Sequence, residues 1–305
     1  MHEDFGTILN KGFKNWVRNL NICIPFVLNF ALTLLLYFFF FGLMGVMLLS
    51  SRVENGLDPA ALSTEELYAL FAGAFLENFV PATIGFIAFF LLIAFLQAFF
   101  TAGAIGMAKR AAETGDTVLS EMVGAGSKNA IKLFLASLLI GLMVLAGIIF
   151  VVPGALAVGD LGALIENPEV PVQGLGLLAI GTLIWGVYIM VINIGLSLAP
   201  YALVIDELDP LEAISTGFRF FMENKLDVFF IWVISIALTF VNSLVSELLG
   251  SVSDFVVLLT VLFPLLVLQP LTTVWWTRLY LSRKEKNLYD HNELLCDPDE
   301  FMSSC

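Results

Sequence analysis

His2 and His291 are the only histidines in this sequence, and neither has the neighbours that histidine chemistry needs. A metal site or an acid–base pair asks for several His, Cys, Asp or Glu side chains converging on one point. The nearest approach is His291, Glu293 and Cys296, three donors in an acidic terminal segment that make a poor cage for a four-coordinate metal. Cys23, Cys296 and Cys305 lack CxxC or Cys/His spacing, so no disulfide framework or zinc site follows. Asp206, Glu207 and Asp209 form an acidic turn with no histidine or nucleophile beside it, and helix capping plus solvation account for it. No catalytic residue, no metal and no cofactor is expected, and the chain reads as a non-enzyme.

Polar chemistry survives as uncharged side chains set in apolar sequence: Asn29, Thr33, Gln97, Thr101, Asn193, Asn242, Gln269, Thr272 and Thr273. Such groups either line a passage or hydrogen-bond one helix to another, a bond that contributes about 0.6 kcal/mol inside a membrane. Pro264 and Pro270 stand in the same apolar run as Gln269. Each removes a backbone donor, so a kink or break is expected there, with carbonyls that only protein or a water-filled cavity can receive. Gln97, Asn193, Pro264, Gln269 and Pro270 are therefore the candidate pathway or gating residues. No acidic or basic residue stands in the middle of an apolar run, which counts against a proton-driven pump.

The elements that must position these residues are membrane spans. The 305 residues are 59% hydrophobic and 13% charged, and the charges fall in a few short segments, so the bilayer must solvate the rest. Six uncharged runs long enough to cross about 30 Å of hydrocarbon lie near 22–50, 81–108, 131–158, 173–200, 228–249 and 255–281. The expected fold is an all-α, six-span polytopic transmembrane bundle: one integral membrane domain over 1–285, then an acidic tail over 286–305. The polar first twenty residues do not resemble a cleaved signal peptide, which leaves the first span as the targeting signal. A net charge of −13 argues against a nucleic-acid partner.

Lys11, Lys14, Arg18, Lys109, Arg110, Lys128, Lys132, Arg219, Lys225, Arg278, Arg283, Lys284 and Lys286 all fall on the side that holds the N-terminus; Arg52 alone falls on the other. The positive-inside rule then predicts a multi-pass protein of the cell membrane with both termini cytoplasmic. In the longest opposite loop, SerThrGluGlu at 63–66 precedes apolar residues at helical spacing, which predicts a short surface helix before Pro81 opens the second span.

Three segments share a pattern: GFKNWVRN at 12–19, GSKNAIKL at 126–133 and GFRFFMEN at 217–224. Gly12, Gly126 and Gly217 align, and Lys14, Lys128 and Arg219 follow two residues later. Apolar residues recur at three- and four-residue spacing with polar ones opposite, which predicts amphipathic interfacial helices before spans one, three and five. Lys14, Trp16, Arg18, Lys128, Lys132 and Arg219 are their interfacial residues, with membrane lipids as partners, and Asp209, Pro210 and Glu212 supply helix-start signals for the third. The arrangement suggests a threefold internal repeat.

The runs TAGAIGMAKRAAETGDTVLSEMVGAGSKNAIKLF at 101–134 and APYALVIDELDPLEAISTGFRFFMENKLDVFF at 199–230 carry a small-residue helix end, AlaLysArg, GlyAsp, and an acidic turn feeding AlaIle and an aromatic-rich segment. They resemble uncharacterised prokaryotic, especially archaeal, polytopic families related to the membrane domain attached to glycerophosphoryl diester phosphodiesterases. That resemblance implies a membrane fold and brings no hydrolase activity, since no phosphodiesterase domain is present. Two functions remain in view: a transporter or channel-like protein for a small solute or lipid, and a membrane scaffold or accessory subunit acting through its interfacial helices.

Overall fold

The computed structural model describes residues 3–54, 63–158, 174–250 and 253–289. Among them all regular structure is helical. Six apolar helical segments are long enough to cross a membrane, Leu20–Met47, Phe79–Thr114, Leu119–Phe150, Leu175–Asp206, Lys225–Leu248 and Phe255–Arg283.

Helix α1 (Phe5–Arg18) precedes the first span, α2 (Ile24–Glu54), with a single 3₁₀ turn, Leu20–Cys23, between them. The predicted surface helix is α3 (Thr64–Glu77), whose Ala74 packs with Met44 and Ala82 at the ends of the first two spans. The second span is α4 (Phe79–Thr114), with Pro81 in its first turn, where a missing N–H costs nothing.

The third span is α5 (Leu119–Ala146). It stops at Gly147 instead of running on to 158, and a 3₁₀ turn, Gly147–Phe150, leads to the short α6 (Val152–Val158). The cause is close packing: a Cβ on Gly147 would lie 2.4 Å from the Tyr188 ring, and one on Gly154 would lie 2.3 Å from Leu178 Cα. The fourth span is likewise interrupted. Helix α7 (Leu175–Gly195) turns at Leu196–Leu198 into α8 (Ala199–Asp206), which carries Pro200 in its first turn. Helix α9 (Pro210–Glu223) leads to the fifth span, α10 (Lys225–Gly250). The sixth span comprises α11 (Asp254–Phe263), a π-helical stretch Pro264–Leu268, and α12 (Gln269–Arg283).

Two of the three repeated segments are separate helices; the middle one is not, since 126–133 lies inside α5 and runs unbroken into the third span. The seventh residue after each repeat glycine explains this. Asn19 and Asn224 both leave helical geometry at the C-cap, and each amide reaches back to a carbonyl four residues earlier, whereas the matching Leu133 offers no competing hydrogen bond.

The glycines themselves set the assembly. A Cβ on Gly12 would meet Trp275 Cδ1 at 2.6 Å, one on Gly126 would meet the Phe99 ring at 2.9 Å, and one on Gly217 would meet Ala199 N at 2.6 Å. Each segment before an odd span therefore sits against an even span: the first on the sixth, the second unit on the second span, the third on the fourth. That relation closes into a ring. Inside it α4, α8 and α12 pack on one another, and one apolar core draws Ile105, Leu203, Leu279 and Leu281 together with Ile8 of α1 and Phe220 of α9.

Candidate functional site

The face that gathers residues 3 and 289 is called the basic face here, and its chemistry is ionic. Arg278, 2% exposed, donates from Nε and Nη2 to both carboxylate oxygens of Glu3 at 2.8 and 2.7 Å. Lys11 adds a third contact to Glu3 at 3.2 Å. Arg283 donates to the Glu3 carbonyl at 2.8 Å and to the Asp227 carboxylate at 2.6 and 3.0 Å, tying α12 to α10. Burial pushes the Glu3 carboxyl up, but the hydrogen bonds and charges of Arg278 and Lys11 outweigh it and hold the group below the usual carboxylate value.

The acidic turn is a hub of ion pairs more than a solvated cap. Asp206 accepts from the Tyr280 hydroxyl at 2.6 Å and pairs with Lys286. Glu207 pairs with Lys128 and Asp209 with Lys132, joining the second unit to the third. Asp209 holds the N-cap position of α9 with its side chain turned to Lys132 instead of to the helix. Hydrogen bonding to Lys128, then its charge, keeps Glu207 below its usual value. Lys109 donates to the Ile205 carbonyl at 3.1 Å, at the C-terminal end of α8 where a cation satisfies an orphan acceptor.

The break in the sixth span is present, and both carbonyls it orphans have partners. In an α-helix Thr260 O would accept from residue 264 and Leu266 O from residue 270, and both are prolines. Asn242 of α10 donates to Thr260 O at 3.1 Å, and the Cys23 thiol donates to Leu266 O at 2.9 Å. Between the two prolines the helix winds one residue wider, with Gln269 N–H bonded to Pro264 O. Two neighbouring spans thus hold the break closed.

The candidate pathway residues separate by exposure. Gln97 in α4, Asn193 in α7 and Gln269 at the start of α12 are exposed, while Pro264 is half-buried and Pro270 buried. Asn193 Nδ2 donates back to Ile189 O at 2.9 Å, and the Gln269 carbonyl accepts from Thr272 and Thr273 at 3.1 and 2.8 Å. Of the interfacial residues, Lys14, Arg18, Lys128 and Arg219 are exposed; Arg18 reaches the Tyr289 hydroxyl at 3.2 Å, and Trp16 and Lys132 are half-buried. His291, Glu293 and Cys296 lie outside the described residues.

Sequence reasoning passed over the Glu3–Arg278 pair and over Ser197, Tyr201 and Thr277. Arg278 was legible as a basic residue at a span end, but its partner is 275 positions away. Thr277 is fully buried, and among the described residues its Oγ1 has no hydrogen-bond partner, although Thr272 and Thr273 both bond back to their own helix.

An all-α bundle of six apolar spans, sealed at one end by a ring of helices, defines a multi-pass membrane protein. Residues 33–279 match the model of a domain of unknown function, DUF7847, and the chain belongs to that family. No curated protein and no solved structure matches it.

Proposed function

We propose that this is a non-enzymatic membrane protein that gives a small solute a passage through its bundle, with the basic face cytoplasmic and the far face outside. The orientation rests on the basic residues, thirteen of which belong to that face. The observation that carries the reading is the exposure of Gln97, Asn193 and Gln269 on the three even spans, directly outward of a core in which those same spans close on one another. Amides inside a membrane are costly unless bonded to protein or facing water; Asn193 bonds back to Ile189 O, and the exposed side chains of Gln97 and Gln269 favour a wetted space.

Single cysteines at Gln97, Asn193 and Gln269 test it, in a background carrying Cys23→Ser, Cys296→Ser and Cys305→Ser; serine at 23 keeps the donor to Leu266. A membrane-impermeant thiol reagent should label all three from the far face and none from the basic face. Protection from both sides in folded protein overturns the reading.

A second reading, a scaffold that organises the adjoining leaflet, is favoured by a separate observation. Beside Lys14 and Arg18, α1 and the turn after it expose Phe13, Val17 and Leu20; beside Arg219, α9 exposes Leu211, Phe218 and Met222. That pairing of apolar and basic residues suits lipid headgroups. Protection of the three cysteines together with binding to anionic vesicles would select it. Kinship with the membrane domain of glycerophosphoryl diester phosphodiesterases stays a proposal on the sequence runs named above, and brings no catalysis.

A further inference from the structure

The ring contacts give the three even spans a common register, because Phe99, Ala199 and Trp275 each meet a repeat glycine. Residues at matching offsets from these three then occupy matching heights. Two residues beyond them stand Thr101, Tyr201 and Thr277; one helical turn back stand Gln97, Ser197 and Thr273; a further turn back stand Ile93, Asn193 and Gln269. Every position in the first two layers bears a hydroxyl or an amide, and so do two of three in the outermost. Four-residue steps keep the α4 and α12 series each on one helix face, and in the fourth span the series runs from Asn193 of α7 through the Leu196–Leu198 turn to Tyr201 of α8.

In the fourth and sixth spans that face points inward. Thr273 lies against the Tyr201 hydroxyl, and the Tyr201 and Trp276 rings are 6.5 Å apart, so this side of the sixth span meets the fourth. In the fourth and sixth spans exposure falls toward the basic face: Asn193 and Gln269 are exposed, Ser197 half-buried and Thr273 8% exposed, and in the next layer Tyr201 is 9% exposed and Thr277 0%. On α4, Gln97 is exposed and Ile93 and Thr101 half-buried. One further turn on come Ile105, Ile205 and Leu281, all apolar and all buried. Ser197 and Thr273 spend their protons on their own helices, leaving oxygen lone pairs free, while Thr277 Oγ1 spends nothing.

We propose that these layers form one axial binding site, open toward the far face and shut at the basic face by Ile105, Ile205 and Leu281, for a small uncharged solute of the polyol class. This rests on the passage reading above and names its substrate class. The site offers hydroxyls and amides, both donors and acceptors, with no side chain charged at neutral pH. An ion entering it would lose water without gaining a counter-charge, whereas a polyol exchanges its water bonds one for one. Thr277 Oγ1 is the innermost partner.

The test is glycerol flux into proteoliposomes of the full chain, read by stopped-flow light scattering. Opening the seal with Ile105→Ala and Leu281→Ala should raise glycerol permeability above both wild type and empty liposomes and leave potassium and chloride permeability unchanged. Adding Thr277→Val should lower that gain by about tenfold, the worth of one neutral hydrogen bond; Thr277→Ser should restore it. The seal variant must keep the wild-type elution profile and cysteine labelling pattern; should it fail to fold, Thr277→Cys in the cysteine-free protein, labelled from the far face and shielded by glycerol, reads the same site. Far-face labelling at Gln97, Asn193 and Gln269 with no glycerol flux and no shielding, or with ions passing equally, overturns the polyol site and leaves the passage. Protection at those three positions overturns both.

Discussion

The basic-face half and the far half of this bundle are built from the same apolar spans by opposite means. Near the basic face hairpins grip one another: α1 on α12, the start of α5 on α4, α9 on α8, with buried glycines at each contact and carboxylates bridging units. Toward the far face helices pair with their hairpin partners, α2 with α4, α6 with α7, α10 with α11, and turn large apolar groups outward; Phe38 is 73% exposed and Leu183 68%. Hydropathy alone does not distinguish these halves. The difference lies in where charges and contacts between units were spent, since tightly packed glycines such as Gly147 and Gly154 occur in the far half as well.

Mutations can break or sharpen that contrast. Removing Glu3 by Glu3→Ala leaves the Arg278 guanidinium buried without its bidentate partner and should cost about 3–5 kcal/mol, measured by denaturant unfolding in detergent. Acid should mimic it. Because the folded Glu3 pKa lies below the ordinary carboxylate value, this stabilisation is present above that value and lost as pH falls through the lowered one. A melting temperature that does not fall between pH 5 and the acid limit in wild type, or falls equally in Glu3→Ala, would remove the pair from the account.

Glycine-to-alanine exchange should then change sign between the repeat glycines and the glycines on open helix faces. At Gly12, Gly126 and Gly217 the added methyl meets atoms at 2.6–3.0 Å, and a loss of about 1–3 kcal/mol is expected, largest at Gly217, whose neighbour is backbone and cannot swing away. At Gly42 and Gly186 nothing lies within 4 Å of the new methyl, so helix propensity alone acts and alanine should stabilise by up to about 1 kcal/mol. Equal effects at both sets of glycines would end the comparison. A smaller effect, about 0.6 kcal/mol each, is expected for Asn242→Leu and Cys23→Ala, which uncap Thr260 and Leu266. Smallest is Phe38→Leu on the lipid side, within about 0.5 kcal/mol of wild type.

Six spans, the surface helix at 64–77 and the break between Pro264 and Pro270 were legible because each is a local pattern of hydropathy, capping signals or missing donors. The interruptions after Ala146 and Gly195 were not, since nearby glycines read equally as packing points within one long helix, and only the neighbouring span decides. The repeat was visible as three matching octets, yet its meaning as a closed ring was hidden in contacts such as Gly12 with Trp275. Gln97, Asn193 and Gln269 could be picked by polarity alone; Ser197, Tyr201 and Thr277 needed the register that those contacts supply.

The ring closes between the beginning of the chain and its end, and that imposes an order on biogenesis. Glu3 and Gly12 leave the ribosome long before Arg278 and Trp275, which at about 5–20 residues per second is a wait of roughly tens of seconds. During that interval α1 has no seat, and its apolar stripe must rest on lipid or on a chaperone. Closure is then the final step of assembly, a proofreading point at which a chain stopped short of its sixth span is left with an undocked first helix.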